Sequence, residues 1–376
     1  MRILILSPDY PPNVYGGVGV HVESLAISLA KLGHEVTVIC LGIKQILTED
    51  YVIFEENQVQ RIEFQPDKTE EHKGYYDLDW SFRWSYNNNK IAIPILHLFQ
   101  KFKFEIIHVH DHFLGLLADI LVSSTGCPMV TTIHSMKSKD SSFQDSVRRY
   151  LCKRSNAIIA VSQNLANEIS LRYQIQEKLH IIHNGMNLSE HRAIRIKDQN
   201  MLCFCGRMSP EKACDILIKA FFKVSQKYPA IKLQLIGDGD QKQYLQELAD
   251  TLGMAQKISF MGYVDPTKVM EIISEAYIQI IPSNYEPFGL TAIEAMHAGN
   301  CVIAAKTGGL QEIISHNKDG ILFEPGNVDD LAYAIDKLLS DKSRVKRLID
   351  NAKEKLIYFS GERMALDTEK IYKEII

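Results

Sequence analysis

The feature that most constrains this chain is an alternation sustained over all 376 residues: short apolar runs separated by longer amphipathic stretches. Parallel strands buried on both faces and joined by crossover helices produce this pattern, so the fold class is α/β. Residues 2–7 form the first largely apolar strand, and a Pro/Gly loop follows. Val22, Leu25, Ala26, Leu29 and Leu32 then keep helical spacing until Gly33 ends the helix. Val36-Thr37-Val38-Ile39-Cys40 is the second strand. Further strand candidates are 105–109, 129–133, 157–161 and 179–183, the third of them followed by the capping residue Ser162. The alternation restarts at Met201-Leu202-Cys203-Phe204-Cys205, after a polar, linker-like segment at 187–200, and continues through 232–236, 258–261, 278–281, 301–305 and 320–323.

The length also favours two domains, because single cores seldom exceed roughly 200 residues. The expected organisation is two doubly wound domains, 1–188 and 189–357, with a C-terminal helical stretch at 358–376 placed to pack back on the first. Ligands in such sheets bind beyond the carboxyl ends of the strands, so two sheets facing each other predict a cleft. Residues 41–90 are the least readable part. They carry Trp80 and Trp84 beside Tyr75, Tyr76, Phe82 and Tyr86, which suit either an aromatic mini-core under a loop or a stacking surface for an acceptor sugar.

Composition excludes several function classes. The 42 basic and 46 acidic residues give a net charge of -4, without the clustered basic excess that nucleic-acid binding requires. Seven cysteines are scattered through mostly apolar stretches with no paired two-residue spacing, which reads as reduced core residues in a reducing compartment. The apolar start Ile3-Leu4-Ile5-Leu6 is too short for a signal segment or a spanning helix. The expected location is the cytoplasm, with no integral membrane segment.

Three loops carry the candidate chemistry. The first, Pro11-Pro12-Asn13-Val14-Tyr15-Gly16-Gly17-Val18-Gly19, lies between a buried strand and a helix start, where glycines let backbone amides approach a phosphate or sugar. A dinucleotide fold uses the same place, but Val22 stands where a third glycine belongs and the second strand ends at Cys40-Leu41 without an acidic ribose ligand. A structural glycine turn is the simpler alternative. The second is Gly206-Arg207-Met208-Ser209-Pro210-Glu211-Lys212. Arg207 leaves a strand end and Lys212 is expected in the first turn of the next helix, so two cations can face the charge gathering on a departing diphosphate. Such a pair is otherwise a solvated surface feature.

The third loop is the most specific: Pro282-Ser283-Asn284-Tyr285-Glu286-Pro287-Phe288-Gly289-Leu290-Thr291-Ala292-Ile293-Glu294. Glu286 precedes a helix whose free amides near Gly289, Leu290 and Thr291 can bind phosphate, and Glu294 lies inside that helix. Eight helical steps would separate the glutamates by about 12 Å, wider than the ~5–9.5 Å of glycosidase carboxylate pairs. They suit different parts of one long ligand. Among the histidines, His108, His110 and His112 with Asp111 form a metal-like cluster only if the strand continues through all of them. The expectation is no metal. Asp238-Gly239-Asp240 likewise reads as a turn after a strand.

On these motifs the chain resembles glycosyltransferase family 4, the retaining enzymes of GT-B fold with two Rossmann-like domains facing across a cleft. The resemblance runs through Gly16-Gly17, His108-Val109-His110-Asp111, Gly206-Arg207 with Lys212, Gly237-Asp238-Gly239, Glu286 to Glu294, and Thr307-Gly308-Gly309-Leu310 with Glu312. It implies that Arg207 and Lys212 bind the donor diphosphate, Glu294 the ribose hydroxyls and Glu286 the hydroxyls of the transferred sugar, with Gly237 and Phe288 to Thr291 lining the donor site. It implies a catalytic role for His134 beside the donor sugar, contact of Gly16 and Gly17 with phosphate or acceptor, and an acceptor side formed by Tyr15, Gly17, His110 and Asp111. The glycine loop is most similar to glycogen-synthase-like glucosyltransferases. Many of those carry a phosphate-binding lysine where this chain has Val14, which leaves a smaller acceptor open.

The function implied is transfer of a hexosyl group from a nucleotide-diphosphate sugar, a UDP- or ADP-sugar, to a hydroxyl acceptor with retained configuration. No cofactor or metal is expected, and the partners are the donor and the acceptor. The competing readings are a nucleotide-sugar epimerase of the same fold and a non-catalytic nucleotide-sugar-binding protein. The intact charged set argues against the second.

Overall fold

A computed structural model describes residues 1–12, 16–41, 51–64, 91–136, 142–188 and 198–376. The chain divides into two compact units, Met1–Asn187 with Phe359–Ile376, and Leu188–Tyr358. Tyr15 and the aromatic residues of 75–86 lie outside the described residues.

The first unit is built on β1 (Arg2–Leu6), β2 (Glu35–Leu41), β3 (Tyr51–Glu56), β4 (Val59–Phe64), β5 (Ile106–His110), β6 (Met129–Ile133), β7 (Ala157–Ala160) and β8 (Leu179–Ile181). These form one sheet in the order β3-β4-β2-β1-β5-β6-β7-β8. All neighbours are parallel except β3 with β4. The helices are α1 (Gly17–Lys31), α2 (91–102), α3 (Gly115–Thr125), α4 (Ser142–Arg154) and α5 (Gln163–Tyr173). Gly33, at φ +88, follows the end of α1, and the Ser162 hydroxyl caps α5 by accepting from the Leu165 amide at 3.1 Å.

Successive residues of β1 serve opposite layers, as period-two geometry dictates. Ile3 and Ile5 pack with Val22, Leu25 and Leu29 of α1. Leu4 and Leu6 pack with Ile95, Leu117, Leu121 and Leu151 on the other face. The hairpin β3–β4 falls in the span that sequence reading leaves open, and the reason is chemical. Arg61 and Glu63 on β4 are buried and paired at 3.2 Å, so the strand does not read as an apolar run. Its turn uses Asn57 and Gln58, both at positive φ, in place of a glycine signal.

The second unit holds β9 (Asp198–Cys205), β10 (Lys232–Ile236), β11 (Ile258–Gly262), β12 (Ala276–Ile281), β13 (Cys301–Ala305) and β14 (Ile321–Phe323), in the parallel order β11-β10-β9-β12-β13-β14. Its helices are α6 (Cys214–Ser225), α7 (Lys242–Thr251), α8 (Pro266–Glu275), α9 (Leu290–His297), α10 (Leu310–Ile313), α11 (Val328–Ser340) and α12 (Lys342–Lys355). Three residues of the expected linker, 198–200, already belong to β9.

After α12 the chain returns to the first unit as α13 (Gly361–Ile375), which lies against α1 and buries Met364, Ile371 and Tyr372 in the layer of Ile3 and Ile5. The return is a close backbone contact. Met186 and Gly361 exchange amide bonds with Phe359 and Met186 carbonyls at 3.0 and 2.9 Å. All seven cysteines are free, six of them buried. Among the described residues no helix is long and apolar enough to cross a membrane.

This docking makes a prediction. A methyl group at Gly185 would stand 2.2 Å from the Ser360 carbonyl oxygen, so Gly185→Ala must push the start of α13 away. Thermal and denaturant unfolding should show a loss of about 1–3 kcal/mol.

Candidate active site

In the second unit the strand order reverses between β9 and β12, which are hydrogen-bonded neighbours. A crevice at the carboxyl ends is the geometric consequence. The loops around it are packed backbone on backbone. Gly237, at φ +125, sits so close that a Cβ would lie 2.0 Å from the Gly206 carbonyl oxygen. Gly308, at φ +46, stands in the same relation to the Glu286 carbonyl at 1.9 Å. The Gly309 amide donates to that carbonyl at 3.0 Å and the Met208 amide to the Asp238 carbonyl at 2.9 Å. Any side chain at Gly237 or Gly308 would part these loops.

Within this frame β9 leads through Gly206 to the half-buried Arg207. Lys212 does not lie in the first turn of the next helix, as the sequence suggests. It ends a single 3-10 turn, Pro210–Lys212, and Ala213 at φ +48 separates it from α6. That left-handed residue redirects the chain, and the Lys212 ammonium reaches across to the Glu286 carboxylate of the β12 loop at 2.6 Å. The Ser283 hydroxyl approaches the same carboxylate oxygen at 3.4 Å, and the Asn284 amide donates to the Glu211 carbonyl at 2.8 Å. The exits of β9 and β12 are thus tied by both side chains and backbone.

Phe288 is buried beside this loop, and Gly289 at φ +112 turns the chain into α9. Gly289, Leu290 and Thr291 stand at its start and Glu294 one turn further in. Glu294 acts electrostatically on Cys205, the last residue of β9, which puts its carboxyl at the end of the strand that Arg207 follows. Burial raises the Glu294 pKa from 4.5 to about 7. A carboxyl so poised gains from hydrogen-bond donors brought by a ligand. Asp238 has both oxygens engaged, one by the Lys242 ammonium at 2.7 Å and one by the Gly239 amide at 2.8 Å, so it braces its loop.

In the first unit the reversal falls between β1 and β5. Gly16 precedes α1 in extended conformation with open space at its Cβ position, and Gly17 is the first helical residue. His110 ends β5, and Asp111 at φ +57 turns the chain, so His112 does not share the strand face of His108 and His110. His112 Nδ1 instead meets Arg148 Nη2 at 3.1 Å, while Arg148 Nε lies 3.8 Å from the buried Asp111 carboxylate. The same carboxylate accepts from the His134 amide at 3.4 Å, and His134 Nε2 is hydrogen-bonded to His110 Nδ1 at 3.0 Å. Behind them, His108 is held by the Tyr372 hydroxyl of α13 at 2.6 Å and by Thr132 at 2.7 Å.

His21 of α1 completes this group and was not singled out from the sequence. Its ring centroid lies 4.7 Å from that of His134 and 5.2 Å from that of His110. Its signal was a polar residue directly before Val22 on the buried side of α1, one turn beyond Gly17. Burial lowers the pKa of His21 to about 4 and of His108 to about 3, and pushes His110 and His134 well below the ordinary value, with mutual repulsion adding to the effect for His110 and His134. The cluster is neutral near pH 7.

The family profile described as glycosyl transferases group 1 matches residues 188–355, and that of glycosyltransferase family 4 matches residues 15–190. An uncharacterized glycosyltransferase of Methanocaldococcus jannaschii is 30% identical, the alignment covering 99% of this chain and 98% of that protein. A glycogen synthase of Mycobacterium tuberculosis is 27% identical over 99% of this chain and 94% of its own. Among solved structures, Anabaena HepE in complex with UDP matches with a TM-score of 0.77 at 20% identity over 100% of both chains, a likeness of fold. With both halves matched and its two Rossmann-like sheets shared, the chain belongs to glycosyltransferase family 4 and is an enzyme of the GT-B type.

Proposed function

We propose that this enzyme moves a hexosyl group from a UDP- or ADP-sugar to a hydroxyl of a sugar or other small acceptor, with retention of anomeric configuration. The observation that supports this most is the Lys212–Glu286 pair at the β9/β12 reversal, beside Arg207, the start of α9 and Glu294. In this reading Arg207 and Lys212 take the diphosphate, with amides at Gly289, Leu290 and Thr291 adding fixed dipoles. Glu286 holds the sugar hydroxyls and, through its contact with Lys212, aligns that cation before the donor arrives. Glu294 accepts from the ribose hydroxyls, and Gly237 and Phe288 shape the nucleotide side.

As the glycosidic bond breaks, charge collects on the diphosphate oxygens, where the two cations stabilise it more than in the bound donor. The acceptor then attacks the same face and a phosphate oxygen of the leaving group takes its proton. Transfer in this scheme needs no metal or cofactor. His134 stands beside the reacting sugar, oriented by His110 and Asp111. Gly16, Gly17 and Tyr15 serve the phosphate or the acceptor. The names of the relatives, a glycogen synthase and a UDP complex, support a sugar nucleotide as donor. Seven free cysteines fit the cytoplasm as the site of the reaction.

A thermal-shift screen of nucleotide sugars identifies the donor, and mass spectrometry of acceptor mixtures identifies the product, whose anomeric configuration is read by NMR. Arg207→Ala should lower kcat about 10²–10³-fold, the loss typical of removing one charge-stabilising donor. Full activity in that variant would sink the assignment.

Donor binding should also depend on pH through Glu294. Ribose hydroxyls donate to the ionised carboxylate, which is depleted below its pKa of about 7, so affinity should rise up to about tenfold per unit between pH 5 and 7 and then level off. Titration calorimetry on Glu294→Gln should show weaker binding without that slope. The sign for folding is opposite: with the folded pKa above 4.5, ionisation favours the unfolded chain, and stability falls as pH rises from 4.5 to about 7.

A further inference from the structure

The histidines of the first unit pose a question that the transfer reaction does not answer. His21, His110 and His134 come from three elements, α1, the end of β5 and the loop after β6, and all three are buried. Each offers one ring nitrogen such that the three nitrogens lie within 4.8 Å of one another. Nε2 of His110 is buried without a hydrogen-bond partner, and Asn184 is the one side chain that hydrogen-bonds to the buried His21 ring, which leaves one of its two nitrogens to other partners. A buried imidazole nitrogen without a partner costs roughly 1–3 kcal/mol and is free to take a ligand.

We propose that His21, His110 and His134 form a binding site for a single transition-metal cation of the zinc class. Three neutral imidazoles are a donor set for borderline metals and a poor one for magnesium or calcium, which prefer oxygen. The nearby Asp111 carboxylate is engaged by Arg148 and the His134 amide, so the set stays all-nitrogen. Tetrahedral ligation at about 2.0–2.1 Å places the nitrogens roughly 3.3 Å apart. His110 Nδ1 and His134 Nε2 stand 3.0 Å apart in a hydrogen bond, so ligation through both moves the proton they share to the opposite ring nitrogen, and the three nitrogens, now within 4.8 Å of one another, draw closer. Of the three residues His134 is the most exposed, at 9%. Asn184 Oδ1 is suited to accept from the ring N–H of His21 that does not face the metal, the usual outer support of a ligating imidazole. Because His134 is also the residue assigned above to the donor sugar, metal occupation and transfer would compete. That consequence rests on the proposed function, whereas binding does not.

The test uses the full chain stripped of metal with a chelator. Titration with zinc against a chromophoric chelator should give one site per chain. His21→Ala should weaken it by more than about tenfold, and the exposed His97→Ala should leave it unchanged. Crystals soaked in zinc should show an anomalous peak among the three imidazoles, a readout that does not depend on any variant folding. No site in the wild-type titration, equal binding by His21→Ala, or a peak only elsewhere would overturn the proposal.

Discussion

Everything in this protein depends on two parallel sheets being buried on both faces. Ile3 and Ile5 meet one helical layer and Leu4 and Leu6 the other, and the central strands β1, β5, β6, β7, β12 and β13 are buried almost throughout. Such strands have no solvated face, so groups meant for a ligand are displaced to the carboxyl ends, where the chain leaves the hydrogen-bonded ladder. Arg207, Lys212, Glu286 and Glu294 in one unit, and His110 and His134 in the other, all follow from that displacement.

Several polar side chains that stay within the layers are partnered. His108 is held by Tyr372 and Thr132, Thr131 by Ser155, and Asn300 by the Ile273 carbonyl at 2.8 Å. The Tyr372 contact ties the last helix of the chain to the histidine layer of the first unit. In the three-histidine group, Nε2 of His110 is buried without a hydrogen-bond partner.

The edges stay open to ligands because glycines let neighbouring loops touch through backbone alone. Gly237 against Gly206, and Gly308 and Gly309 against the loop 286–288, leave no room for a Cβ. The backbone of one loop therefore fixes the next, and the Lys212–Glu286 pair is superimposed on a frame already rigid. The pair sets charge placement more than it holds the fold. Its worth lies in orientation, since a partly exposed ion pair contributes little to stability.

The strand–helix alternation, the glycine loops and the glutamates before and inside α9 were legible because each is set by local rules: period, turn conformation and helix starts. β3 and β4 were not, because the buried Arg61 and Glu63 of β4 are accommodated by pairing with each other and with neighbours such as Glu56, and a single sequence does not show that pairing. Lys212 was placed one turn too far along because the positive φ of Ala213 carries no local signal. What the sequence alone determined was the class of fold, the family and the residues available at each strand end. What only the tertiary structure decided was which of them meet: Lys212 with Glu286 across 74 positions, and His21 with His110 and His134 from three separate elements. Local periodicity encodes where a side chain leaves the sheet, while the partner it finds depends on strand order, which is fixed only when the layers close.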